Sequence, residues 1–322
     1  MNCFYKKITA LIFITFFIFL NSCHLGEINI YNVKNVIKED KKFVFSAEIN
    51  GKSDLYVCDL LSDTYELKYS SEKYLIKYFC LDGEIIYFIG EHEFKTDIIK
   101  LENNQEEVLA TFDEYVYSIG KIKNNIFFII GSNPNSVYIY YFDLNTSEIK
   151  KYCDKNFIFN KSYQPVFCPD GDIFIFGDEQ LSYVNMVYLI RDNNIIDLGG
   201  CKFVQKCHGK IFGEFFKKSK KYNGTDNLCI DSAIGYYDIS SGKIENINKY
   251  NKFHINNYMN ISSDGKYGLA YGAQVKDRVI FLDTLNYYSI VVYNLDTGKQ
   301  AAVKCLSDIS YQIYCWRWLE TA

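Results

Sequence analysis

The side chains able to carry proton transfer, metal binding or thiol chemistry are few in this 322-residue chain: four histidines and eleven cysteines, alongside thirty-nine carboxylates. His92, His208 and His254 could serve as bases or ligands. Their settings differ, however: His92 follows an apolar run, His208 sits in a turn, and His254 precedes a strand-like stretch. No common register aims them at one point, so each reads as a surface or internally satisfied histidine; His24 lies close to the N-terminus. "HEFKT" at His92 begins like a zinc-binding HExxH but ends in Thr96, and its context is a strand. "GKS" at Gly51–Ser53 lacks the upstream glycine of a phosphate loop, because position 46 is serine. No GxSxG elbow occurs. The turn aspartates Asp82, Asp170, Asp172 and Asp264 could hold calcium only if loops converged to give about six to eight oxygens. Their turn positions already explain them. No catalytic residue, metal ligand or cofactor is therefore assigned.

The N-terminus carries a different chemistry. Lys6 and Lys7 precede an apolar stretch from Ile8 to Leu20, which is long enough for a signal-peptide core and too short to span a bilayer. Leu20-Asn21-Ser22-Cys23 follows. This stretch resembles the bacterial lipobox, with Asn21 a less usual occupant. The resemblance implies cleavage before Cys23 and lipidation of Cys23, so that acyl chains anchor the protein to the extracytoplasmic face of a cell membrane. Stable anchoring needs more than one chain at about 0.8 kcal/mol per buried methylene, which a multiply acylated cysteine provides. The alternatives are an uncleaved anchor or an ordinary signal peptide. Residues 1–22 are read as signal, 23–30 as lipidated tether and 31–322 as one domain.

Composition narrows the classes. The net charge of −4 argues against nucleic acid as a partner. One basic cluster, Lys217, Lys218, Lys220 and Lys221, is isolated and reads first as a solvated loop. Three prolines in all disfavour a disordered chain. Beyond Cys3 and Cys23, nine cysteines remain, so at least one is unpaired. They form no CxxC pair, and many lie in apolar runs where cysteine acts as a small hydrophobe. Export would permit disulfides, with Cys201–Cys207 and Cys305–Cys315 the local candidates. A metal set at Cys201, Cys207 and His208 lacks a fourth ligand.

The elements that must position any site are set by a repeat. A turn followed by an apolar run recurs at Glu39 ("EDKKFVFSAE"), Leu81 ("LDGEIIYFIG"), Lys123, Pro169 ("PDGDIFIFGD"), Cys207 and Ser263 ("SDGKYGLAYG"). A second hairpin-like unit follows each, as in "LYVCDLLSDTYEL" and "IVVYNLDTGKQAAV". Asp-Gly and Asn-Asn supply the positive φ of tight hairpin turns. Two hairpins in about 45 residues make four strands, the unit of a β-propeller. "IIYFIG" and "IFFIIG" do not alternate, as expected for strands covered on both faces. The tail "SYQIYCWRWL" resembles the strand before each turn, so it is expected to complete the first blade beside "INIYNVKNV", with Trp316 and Trp318 packed at the seam.

The turns in "QPVFCPDG" and "YMNISSDG" are similar to those of TolB-like propellers, which implies six blades; seven is the alternative. The expectation is an all-β propeller of four-stranded antiparallel blades, closed by N- and C-terminal strands. Function is expected in the long loops 216–227, 272–286 and 156–164 and at the channel mouth, with Lys217, Lys218, Lys220, Lys221, Asp277 and Arg278 as the ligand-facing residues. The reading is a monomeric binding module for an unknown protein, peptide or glycan. The rival is an exported glycan hydrolase or lyase using carboxylates at the channel.

Overall fold

A computed structural model describes residues 32–319 apart from 94, 160–163, 178–185, 217–231, 248–254 and 280–281. A single turn of helix, α1 (Val33–Val36), comes first. β1 (Lys42–Ile49), β2 (Lys52–Asp59) and β3 (Thr64–Tyr69) follow. The next sheet is β4 (Leu75–Asp82), β5 (Ile85–His92), β6 (Lys95–Glu102) and β7 (Gln105–Phe112). Then come β8 (Tyr115–Ile122), β9 (Asn125–Asn133), β10 (Ser136–Asp143) and β11 (Glu148–Lys151). β12 (Val166–Phe167), β13 (Ile173–Gly177), β14 (Met186–Arg191), β15 (Asn194–Cys207), β16 (Lys210–Phe216), β17 (Ser232–Asp238) and β18 (Lys243–Asn246) join into one seven-stranded sheet. β19 (Ile255–Ile261), β20 (Tyr267–Val279), β21 (Leu282–Asn294) and β22 (Lys299–Ala302) make the last four-stranded sheet. β23 (Ile313–Leu319) returns to β1, giving the order β23-β1-β2-β3. All pairings are antiparallel, and the architecture is a β-propeller of four-stranded blades.

The turns form where the sequence supplies left-handed residues. Asn50-Gly51, Asn103-Asn104, Asp192-Asn193 and His208-Gly209 all have positive φ at both positions, matching the twist of the strands they join. Strand β5 shows why the apolar runs do not alternate. Ile86 and Phe88 enter a core shared with Val44, Leu55 and Cys315 of the first sheet. Tyr87 and Ile89, on the other face, enter a core shared with Ile119, Ile126 and Phe128 of the third. β9 repeats the arrangement, with Phe127 and Ile129 facing Ile173 and Ile175 of β13. Each inner strand is thus buried on both faces, whereas the outermost strand β3 is exposed over its first four residues.

β15 is the irregular element. Its first half pairs with β14 and its second half, from Cys201, pairs with β16. One continuous strand therefore ends one four-strand set and begins another. The innermost strands lie side by side: β23 against β4, β4 against β8, β8 against β12, β15 against β19, and β19 against β23.

Closure joins the chain ends as expected, but the partner of the tail is β1, with Phe43 opposite Trp318 and Phe45 opposite Trp316. Of "INIYNVKNV", residues 28–31 lie outside the described residues, and the described part does not supply that strand. Its end turns into α1 because the Asn32 side chain caps Lys34 N at 3.0 Å, and Val33, Val36 and Ile37 are buried beside the last sheet. The tryptophans do pack at the seam. Trp316 Nε1 donates to Leu269 O (3.1 Å) and Trp318 Nε1 to Asn260 O (2.9 Å).

Candidate functional site

The inner strands end together at one face, around a cavity of about 520 Å³. Its walls come from the ends of β4, β8, β12, β15, β19 and β23. Aligning the two-residue turns at 83–84, 123–124 and 208–209 puts Leu81, Lys121 and Lys206 at one position, two residues before the turn. All three line the cavity, with Cys80, Cys168 and Ser262 beside them. Arg317 and Trp318 of β23 complete it, and Gln205 and His208 flank Lys206.

The charges are arranged in pairs. Lys121 Nζ lies 2.8 Å from Asp82 Oδ1. Lys206 Nζ binds Asp170 and lies 2.5 Å from Asp172 Oδ2, bridging the β12–β13 turn to β15. Arg191 grips the buried Asp172 with two bonds of 2.7 Å, Nε to Oδ1 and Nη2 to Oδ2. Burial pushes the Asp172 carboxyl up, but the bonds from Arg191 and Lys206 prevail and hold it below its usual value. Arg317 Nη1 donates to Trp316 O (2.8 Å) and to Gln164 Oε1 (3.3 Å), and Gln164 Nε2 donates to Tyr314 O (2.7 Å).

The Cys80 and Cys168 thiols form apolar wall, each pushed up to about 12 by burial. They stay protonated at neutral pH and are poor nucleophiles. Gln205 Oε1 is buried without a hydrogen-bond partner. Such an acceptor wants a donor.

At the opposite end of the second sheet lies a second polar cluster. Asp97 is buried and accepts from Thr111 Oγ1 (2.7 Å) and Tyr74 Oη (2.9 Å), with His92 Nε2 at 3.0 Å. Lys73 Nζ donates to Tyr74 Oη at 2.5 Å. Burial raises the Asp97 carboxyl, yet the bonds from Thr111 and Tyr74 and the neighbouring His92 bring it below its usual value. His92 is thus internally satisfied, as its sequence setting suggested.

The remaining sequence candidates scatter. Cys23, His24, Lys217, Lys218, Lys220, Lys221 and His254 lie outside the described residues. Asp277 and Arg278 are not in a loop: β20 and β21 pair continuously past Gly272, placing Asp277 opposite Thr284 and Arg278 opposite Asp283. The alternating pattern of "AQVKDRV" suffices to extend that hairpin. The stretch at 156–164 is tied down at Phe157, whose N–H and C=O both bond Val137 (2.9 and 3.0 Å).

His208 packs over Gly265, where an added Cβ would meet its ring at 2.6 Å. The turn aspartates are all engaged, Asp264 by Ser262 and Lys41 among others. Among the described residues no group of three or more acidic, His or Cys side chains is placed to hold a metal. The eight described cysteines of the domain are free thiols. Cys315 is buried in the closing strand, bonding Phe79 O, and the candidate Cys305–Cys315 pair is not formed. Nor is Cys201–Cys207, whose members occupy opposite ends of the half-strand that pairs with β16.

No described protein family and no curated protein matches the sequence. Solved structures do. The fold is similar to TolB from Acinetobacter baumannii at 13% identity and a TM-score of 0.59, covering 87% of this chain and 67% of that one. It is also similar to a chain of a nidogen/laminin complex (9%, TM-score 0.52, 88% and 99% covered). A third likeness is to an oligogalacturonate lyase in complex with manganese (11%, TM-score 0.52, 85% and 75% covered). Identities this low speak for the propeller fold alone.

Proposed function

We propose that this is a six-bladed propeller, lipid-anchored through Cys23 on the extracytoplasmic face of a membrane, that binds an anionic group of a peptide, protein or glycan at its channel mouth. The blade count follows from treating β15 as the outer strand of one blade and the inner strand of the next, which divides the seven-stranded sheet in two. One observation carries the binding reading. Lys121, Lys206 and Arg317 line the cavity with Asp170 as the lining carboxylate, in a chain of net charge −4. Cations gathered from separate repeats into a recess raise the local concentration of anions. The unpartnered Gln205 Oε1 adds an acceptor for an N–H or O–H of the same ligand.

The rival, glycan cleavage by paired carboxylates, has less support, because Asp82 and Asp170 are each held by a lysine. The test is equilibrium binding of the detergent-extracted full chain to oligogalacturonate and to an oligo-glutamate peptide, with neutral oligosaccharide and oligo-glutamine as controls. Preference for an acidic probe, weakened by salt and by Lys206→Ala or Arg317→Ala, is expected. Equal binding of neutral and acidic probes, or no binding, overturns the reading. Turnover of the oligogalacturonate would favour the rival. For the anchor, Cys23→Ser should move the protein from membrane to soluble fraction.

A further inference from the structure

Cys58 and Cys305 come together across the ring closure although 247 positions separate them in sequence, their sulfurs 3.8 Å apart. Cys58 lies on β2, opposite Phe43 and Tyr65. Cys305 lies in a 3-10 turn, Lys304–Leu306, that follows β22. Its backbone is already fixed to the first sheet, because Cys305 N donates to Asp63 Oδ1 at 3.1 Å. Leu60, Val303 and Leu306 are fully buried around the contact. The other described thiols with a hydrogen-bond partner bond mainly to backbone or side-chain oxygens: Cys201 to Phe203 O, Cys207 to Gly265 O, Cys315 to Phe79 O.

We infer that Cys58 and Cys305 form a disulfide on oxidation, a covalent modification site that staples the last sheet to the first. The inference is independent of what the channel mouth binds. The bond requires the sulfurs to close from 3.8 Å to about 2.05 Å. Access is through Cys305, which is half-buried, whereas Cys58 is buried.

The chemistry is ordinary exchange with a small disulfide. The Cys305 thiolate attacks one sulfur of oxidised glutathione and expels one glutathione thiolate, leaving a mixed disulfide. Cys58 gives up its proton to solvent, attacks the Cys305 sulfur and expels the second glutathione. Two protein thiols are oxidised and one glutathione disulfide is reduced to two thiols. The second step is the slow one, because the Cys58 thiol is held protonated by its hydrogen bond with Cys305 and by burial. The product closes a loop through nearly the whole ring, where cross-links restrict the unfolded chain most.

The experiment takes the reduced full chain in detergent, equilibrates it with oxidised glutathione, and maps peptides without reduction. A Cys58–Cys305 cross-linked peptide is expected, with a rise in Tm of about 4 to 10 °C over the reduced protein. Cys305→Ser should abolish both. Cys58→Ala is the second variant, and Cys201→Ala should keep the cross-link. A stable glutathione adduct on Cys305 without the cross-link, or a link from either residue to a different cysteine, overturns the inference. So does a cross-link that leaves Tm unchanged.

Discussion

Asp97 and Asp172 are both buried carboxylates held below their usual pKa, yet their surroundings differ in kind. Asp97 is enclosed by the Tyr74 and Thr111 hydroxyls and His92 at the far end of the second sheet, with the exposed Lys73 ammonium 4.0 Å away. Asp172 is enclosed by two cations, and one of these, Lys206, also lines the cavity. The first cluster closes on itself: its donors come from the approach to β4, the end of β5 and the face of β7, and they tie the sheet together. The second leaves a cation facing open volume. A buried acid ringed by hydroxyls reads as structure, while one ringed by cations at a channel mouth can share them with a ligand.

The largest effect should come from breaking the closed cluster. Asp97→Ala strands Tyr74, Thr111 and His92 in a largely dry site and should cost about 3 kcal/mol in urea unfolding, while leaving anion binding at the mouth intact. If binding fell in parallel, the two ends would not be the independent regions drawn here. Lys206→Ala should behave the other way. Arg191 still holds Asp172, so the stability loss should be smaller, about 1 to 2 kcal/mol. Affinity for the acidic probe should drop about tenfold, or about 1.4 kcal/mol.

Acid should expose both clusters. Each carboxyl has a folded pKa lowered below its ordinary value near 3.8. Each therefore contributes stability that is complete above the ordinary value and is lost as pH falls through the folded one. Unfolding free energy should decline below about pH 4.5. In Asp97→Asn that decline should be shallower, because one of the titrating carboxylates is gone. An unchanged slope would mean that the Asp97 carboxyl is not held below its ordinary value in the fold.

Much of this fold was legible because it rests on local signals. Asn-Gly, Asp-Gly and Asn-Asn fix turns within four residues, and the unalternated "IIYFIG" reports two covered faces without any knowledge of which neighbours cover them. The closing role of Ile313–Leu319 was legible for the same reason, as a strand lacking its hairpin partner. Its true neighbour, β1, was not, because the choice between β1 and "INIYNVKNV" depends on Val33 and Val36 being buried against the last sheet.

The site was far less visible. Lys121, Lys206 and Arg317 look like any strand-edge cations, and the lysine cluster at 217–221 drew notice instead because its residues are adjacent in sequence. The signal shared by Lys121 and Lys206 was positional, the place two residues before a two-residue turn, while Arg317 stands in the closing strand with no turn after it. In a ring, equal positions in successive repeats converge on the axis. The Cys58–Cys305 approach had no sequence signal, since nothing local links positions 247 apart.

The smallest prediction concerns the rim, and its sign discriminates most sharply. Asp82 is a partly exposed carboxylate that neutralises Lys121 across 2.8 Å. Exposed pairs of this kind contribute about 0 to 1 kcal/mol, so Asp82→Asn should leave stability nearly unchanged. It should nonetheless release Lys121 toward the cavity and remove a repelling charge from the mouth. The acidic probe should then bind about two- to fivefold tighter, with a steeper dependence on salt. The equivalent change at the closed end has no such release to offer, because Tyr74, Thr111 and His92 are committed to Asp97. A gain of affinity from Asp82→Asn together with a loss from Lys206→Ala would separate a mouth that recruits anions from one that only displays ion pairs. Weaker binding in both would mean that the mouth needs its carboxylates, and would return the glycan-cleaving alternative to first place.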